Sequence, residues 1–129
     1  MEGMVEKPKV VLASTCYRYR GITVDSANKG ALVGAGGVAV GCLQEAIARD
    51  GSGNATYDAG KTVTLEPTNG EMYMEAGGAF TCGDFLKWTT GGKLIVETSA
   101  TTRTANTVAI ARQTAAGDAS IVLVFMLNG

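Results

Sequence analysis

Three thiols and no imidazole set the limits on chemistry in this chain. Cys16, Cys42 and Cys82 are its only cysteines, and it contains no histidine. The missing histidine removes imidazole general bases, Ser-His and Cys-His nucleophile pairs, and every zinc or iron site built on imidazole. No two cysteines stand in a CxxC pair, so a structural zinc site is not expected. An odd count at wide spacing predicts three unpaired thiols and a reducing compartment. Acid–base work would fall to carboxylates, Lys or Tyr. The candidates Asp50, Asp58, Glu66, Glu71, Glu75 and Asp84 are scattered through predicted turns and strand edges. A glycosidase-type pair needs two carboxyl groups about 5 to 10 Å apart in a cleft, whereas this scatter reads as solvated surface charge. The stretch "DGSGNATYD", Asp50 to Asp58, is similar to a calcium loop but lacks its regular ligand spacing and closing Glu. The expectation is no catalytic set, no metal and no cofactor: the chain reads as a non-enzyme.

Two glycine-rich stretches could cradle a ligand. "GAGGVAVG" (residues 34–41) has the look of a dinucleotide loop, but such a loop needs a preceding strand and a following helix within a βαβ unit. A short apolar stretch and a β-rich remainder predict a turn entering a strand instead. "EAGGAFTCGDFLKWTTGGKLI" (residues 75–95) carries Phe80, Phe85 and Trp88 between Gly77-Gly78 and Gly91-Gly92. Those pairs are read as turns in which glycine permits positive φ. Lys87 beside Trp88 could form a cation–π or sugar-stacking site, but neighbouring strand residues point to opposite faces. Trp88 is expected in the core with Leu86, and Lys87 on the surface.

At 129 residues with a net charge of −1, the chain suits one domain and has no basic field to attract nucleic acid. Aromatic content of 6% and 18 glycines predict a thin core of Val, Leu, Ile and Ala. No apolar run reaches transmembrane length, and "VVLA" is too short for a signal-peptide core. The expectation is therefore synthesis in the cytosol, with neither nucleic acid nor membrane as a partner.

The elements that must position these residues read almost throughout as short strands. "KVVLA" (9–13) and "YRYRGITV" (17–24) are rich in strand formers; in the second, Tyr17 and Tyr19 would share one face. A strand is predicted over 38–43. "KTVTLEP" (61–67) and "EMYMEA" (71–76) alternate around "TNG" and predict a hairpin. "DFLKW" (84–88) and "KLIVET" (93–98) predict a second. "TVAIARQT" (107–114) alternates, with Val108 and Ile110 on one face. "SIVLVFML" (120–127) is apolar on both faces, as in a central strand or a subunit contact. The fold expected is all-β: a small barrel or sandwich of short antiparallel strands with Gly-rich turns and little helix. Residues 21–129 form one β domain, and residues 1–20 are either an N-terminal arm or the first strand. As an arm, this segment could add a strand to a partner's sheet edge. Tyr17, Arg18, Tyr19 and Arg20 would be its partner contacts, since Tyr and Arg are favoured at interface hot spots.

With this layout, "GGVAVG", "AGKTVTLEPTNGEMYMEAGGAFTCGDFLKWTTGGKLI" and "VAIARQTAAGDASIVLVFML" carry a resemblance to the small capsid decoration (cement, head-stabilising) proteins of tailed bacteriophages. The likeness covers roughly residues 37–127 and specifies a β scaffold with no reactive group. It implies a protein made in the host cytoplasm that binds the outside of an icosahedral shell as a homotrimer. There it clamps neighbouring major capsid protein subunits against internal DNA pressure. Two other readings stand beside it: a different phage structural part such as a head-fibre base or tail component, and a carbohydrate-binding β module using Trp88 or the Tyr17/Tyr19 pair.

Overall fold

The computed structural model describes residues 9–44, 48–49, 55–97 and 101–127. Among them there is no helix. Thirteen short strands form β1 (Lys9–Leu12), β2 (Cys16–Tyr17), β3 (Gly21–Val24), β4 (Lys29–Leu32), β5 (Gly41–Cys42), β6 (Ala48–Arg49), β7 (Ala55–Tyr57), β8 (Thr62–Thr64), β9 (Gly70–Glu75), β10 (Phe85–Thr89), β11 (Lys93–Val96), β12 (Thr107–Ala111) and β13 (Ile121–Met126). The all-β expectation holds.

The strands form two five-stranded sheets, ordered β5-β3-β4-β1-β8 and β11-β10-β12-β13-β9, and a small third sheet, β2-β7-β6. All pairings are antiparallel except β1 with β4. Each large sheet curls until its edges approach. Cys42 pairs with Glu66, just past β8, through hydrogen bonds of 2.8 and 2.9 Å. Ala76, just past β9, bridges to Leu94 on β11. Joining edges in this way satisfies backbone groups that an open sheet leaves to solvent.

Each sheet wraps its own core. The first holds Val10, Leu12, Ile22, Leu43, Val63 and Leu65, with Cys16 and Tyr57 from the small sheet. The second holds Met74, Phe80, Leu86, Trp88, Leu94, Ala109, Val122, Val124 and Met126, and reaches across to Val33 and Cys42. The narrow interior explains the abundance of Ala and Val and the scarcity of aromatic rings.

Several local expectations are corrected. The run over 38–43 is a strand only at Gly41–Cys42, and the preceding residues form an exposed loop with Val38 at 76% exposure. The glycines before it, at 34, 36 and 37, keep the chain turning, and Gly36 has φ +73°. The stretches 61–67 and 71–76 do not form a hairpin: β8 joins the first sheet and β9 the second. "TNG" is therefore a crossover between cores rather than a tight reversal. The β10–β11 hairpin forms as predicted, pairing Trp88 with Leu94. Its Gly91 and Gly92 have φ of +82° and +74°. Gly77, by contrast, is needed for space: a Cβ there would lie 2.8 Å from Thr89 Cγ2.

Of the two readings of residues 1–20, the arm does not describe residues 9–20. β1 lies between β4 and β8 with Val10 and Leu12 buried. Residues 1–8 lie outside the described residues.

Trp88 is buried at 3% exposure beside Leu86, as its strand parity predicts. Its six-membered ring lies against Gly21 of the first sheet, so closely that a Cβ on Gly21 would sit 2.6 Å from Cη2. The contact sets a side chain of the second core directly against the backbone of the first sheet. Trp88→Ala should cost about 3–5 kcal/mol, a large share of the about 5–15 kcal/mol that holds a domain together. Gly21→Ala should cost about 1–3 kcal/mol by overpacking. Chemical denaturation of both variants and of Gly21→Ala/Trp88→Leu checks the contact. A smaller ring-free side chain should make the alanine cheaper in the double variant than alone, and strict additivity would refute direct packing.

Candidate functional site

The segment Tyr17 to Arg20 does not run as one strand. β2 ends at Tyr17, and Tyr19 adopts φ +66°, a left-handed conformation uncommon outside glycine. The two tyrosines therefore do not share a strand face. The turn is held from both sides: Tyr19 N–H donates to the Leu43 carbonyl at 2.7 Å, and its carbonyl accepts from Glu75 N–H at 2.8 Å. Each guanidinium stacks on a neighbouring ring, Arg18 over Tyr19 at 4.4 Å and Arg20 over Tyr17 at 4.3 Å. Arg18 Nε–H donates to the Gln44 carbonyl, and Gln44 Nε2 donates to the Tyr73 carbonyl at 3.2 Å.

Arg20 is committed further. Its Nε and Nη2 donate to the two carboxylate oxygens of Glu75 at 3.3 and 3.0 Å. Lys93 Nζ lies 3.2 Å from the same carboxylate and 2.9 Å from Asp118 Oδ1. The chain Arg20–Glu75–Lys93–Asp118 joins the β2–β3 turn to β9, to β11 and to the β12–β13 loop. Hydrogen bonding to Asp118, then contact with Glu75, raises the Lys93 pKa, and that hydrogen bond lowers the Asp118 pKa. Tyr17, Arg18, Tyr19 and Arg20 are all half-buried. The guanidinium of Arg20 is thus engaged inside the molecule, where it ties the two sheets together.

The carboxylate that sequence reading missed is Glu97, which is 4% exposed. It accepts hydrogen bonds from Thr104 Oγ1 at 2.6 Å and Thr107 Oγ1 at 2.7 Å, and Lys87 Nζ lies 3.9 Å away. Two hydroxyls and an ammonium compensate the buried charge, and they pin the 101–106 loop to β11. The signal was faint: an acid straight after "KLIV", followed by a Thr-rich loop. Among the described residues no group of three or more Asp, Glu, Cys or His could hold a metal. Most of the calcium-like stretch 50–58 lies outside the described residues.

Among the described residues, two surfaces are open to a partner. One is the outer face of the second sheet. There β13 alternates Val122, Val124 and Met126 inward with Ile121, Leu123 and Phe125 outward. Leu123 stands opposite Tyr73 on β9, and Phe125 stands opposite Ile110 on β12 and Glu71 on β9. Tyr73, Ile121 and Phe125 remain 47, 42 and 39% exposed. Glu71 and Arg112, each about half exposed, lie 3.8 Å apart at its border. The second surface is an open groove of about 610 Å³ between the 36–39 loop and the 103–108 segment, with Trp88 and Met126 at its floor. At 3% exposure, Trp88 shows too little of its face to stack on a sugar ring.

All three cysteines are free; Cys16 and Cys42 are buried and Cys82 is exposed. Burial pushes the Cys16 and Cys42 thiols up to about 11 from an ordinary 9.0. Neither of these two therefore presents the lowered pKa of an activated nucleophile.

No family model matches this sequence, and no curated protein matches it. Among solved structures it is similar to the N base of the head fiber gp8.5 of bacteriophage phi29. The match has a TM-score of 0.72 and 13% sequence identity, covering 96% of this chain and 95% of that one. The two share a fold.

Two expected outcomes follow from the site. Replacing Glu75 by Gln should destabilise the fold by about 1–3 kcal/mol, because it leaves two partly buried cations facing each other. Thermal melts of Arg20→Met, Glu75→Gln and the double variant should show non-additivity, whereas additive losses would mean Arg20 and Glu75 do not interact. For the thiols, the unfolded state deprotonates near pH 9 while the folded state keeps its protons to about pH 11. Their contribution is fully present below pH 9 and is lost as pH rises through that window, at roughly 1.4 kcal/mol per thiol per pH unit. Urea denaturation between pH 8 and 10.5 should show this loss, and Cys16→Ala/Cys42→Ala should flatten it.

Proposed function

We propose that this chain is a structural protein of a tailed-phage head that binds the outer surface of the assembled capsid and clamps neighbouring major capsid protein subunits. The observation that carries the reading is the likeness of fold, over nearly the whole of both chains, to a protein whose name places it on a phage head. The sequence supports it separately, through its resemblance to capsid decoration proteins. Two curled sheets with joined edges, two cores and a pinned turn make a rigid β module, as a clamp requires. A homotrimer would set three such modules around a three-fold position on the shell.

A second reading, the base of a head fibre, is favoured by the same likeness of fold and shares the capsid-binding step. The two differ in consequence: a clamp strengthens the shell, whereas a fibre base needs only to attach.

The test is co-sedimentation of the purified protein with expanded empty capsids of the phage that encodes it, followed by heating. Saturable binding with a higher rupture temperature for decorated shells is expected. Binding without any gain in shell stability would favour the fibre base. No binding to expanded capsids, at concentrations up to tens of micromolar, would overturn both.

A further inference from the structure

We infer that the capsid-facing surface is the outer face of the second sheet together with the groove at its end, and that its occupant is an apolar segment of the major capsid protein bearing a carboxylate. The inference rests on the capsid-binding function proposed above and assigns the contact to residues other than the Tyr17–Arg20 turn.

Three observations point this way. The guanidiniums of Arg18 and Arg20 already serve the Gln44 carbonyl and the Glu75 carboxylate, so recruiting Arg20 for a partner would open the seam between the sheets. The outer face, by contrast, offers Tyr73, Ile121 and Phe125 without disturbing any internal contact. Solvent-facing strand positions ordinarily carry polar residues when one face of a sheet is wet, and β13 carries none from Ile121 to Met126. The largest apolar patch of a monomer spans about 300–600 Å² and is often functional. That is less than the about 800 Å² that each partner buries in a stable pairwise interface. A face of that size would by itself hold a second copy only weakly. A shell that displays the same site many times can be gripped by several linked modules at once, so a modest contact suffices.

The groove supplies the charge. The outward row of β13 continues from Phe125 to Leu127, which lines the groove beside Val108. From Ile121 to Leu127 the track runs about 20 Å, the length of some six extended residues. Among the described side chains lining the groove, Arg103 is the single charged one, and none of them is an acid. An apolar segment whose carboxylate meets Arg103 therefore complements the track in shape and sign.

The variants Tyr73→Thr/Phe125→Thr keep strand-forming residues on a solvent face, and Arg103→Glu reverses the groove charge. In the co-sedimentation assay the double threonine variant should bind expanded capsids at least ten-fold more weakly than wild type. Arg103→Glu should bind several-fold more weakly. The melting temperatures of the free proteins should stay within a few degrees of wild type. If the threonine variant melts early, Ile121→Thr and Arg103→Glu carry the test. Variants that bind as wild type does would overturn this surface while leaving the proposed function standing. If wild type self-associates in sedimentation velocity and the threonine variant does not, the face joins copies of this chain and the inference fails. Absence of binding by wild type itself would remove the function and this surface with it.

Discussion

The contact between Gly21 and the ring of Trp88 is the constraint that orders the rest of the molecule. Two thin cores, each wrapped by a curled sheet, would have little reason to hold a fixed relation. A large flat ring from one, laid against a glycine of the other, gives them a shared surface with no room for adjustment. The backbone around it is fixed as closely. Gly21 N–H donates to Gly92 O, Gly92 N–H to Val33 O, and Val33 N–H to Gly21 O, at 2.8 to 3.0 Å. A side chain on Gly92 would itself collide with the Gly21 carbonyl, its Cβ falling 2.6 Å away. Two glycines, one tryptophan and a closed set of hydrogen bonds thus make a tightly fixed junction. The ion chain through Arg20, Glu75, Lys93 and Asp118 lies at the same seam and adds charge complementarity to shape.

How much of this was legible in the sequence depended on whether the deciding force was local. Strand parity is local, so the inward placement of Trp88 and Leu86 and the β10–β11 hairpin could be read directly. The turn between β3 and β4 is also set by local contacts. There Asp25 Oδ1 accepts hydrogen bonds from the backbone of Ala27 and Lys29, and Asn28 takes a positive φ. Partner choice between strands is not local. The stretches 61–67 and 71–76 alternate as two arms of a hairpin would, yet each finds its hydrophobic partners in a different core. Nothing in "PTNG" distinguishes a reversal from a crossover. The Gly-rich loop at 34–37 posed the opposite problem. Val38 and Val40 have strand-forming side chains, but tertiary contacts leave both exposed and the ladder begins only at Gly41.

The site shows the same division. The sequence suggested Tyr17 to Arg20 as contacts to a partner, whereas in the fold Arg18 and Arg20 make directional contacts within the chain. Glu75 stands 55 residues away in sequence from Arg20, and only the fold brings the two together. Glu97 was invisible for a related reason. A buried carboxylate is tolerable only because Thr104 and Thr107 return to it across a loop, and the sequence lists these as ordinary Ser/Thr-rich filler. The apolar outer row of β13 was visible as residues apolar on both faces. What remained open was whether the second face met protein of the same domain or of another; among the described residues nothing buries Ile121 and Phe125 of the outward half.

That uncovered row bears on how a clamp can be both firm and selective. A rigid module cannot adapt to its partner, so it loses little conformational entropy on docking. Its affinity then depends on whether the partner's surface is already in the matching shape. A shell that rearranges as it matures offers such a surface in one state and not in another. If the chain binds a capsid as proposed, a stiff β module with a fixed apolar row would discriminate between capsid states without any moving part of its own. Binding energy spent on the matching state stabilises that state relative to the others, by as much as the affinities differ. On this argument the stiffness at Gly21 and Trp88 and the exposed row at Phe125 belong to one mechanism. Under the proposed function, the seam would hold the sheet in shape and the sheet's shape would select the shell.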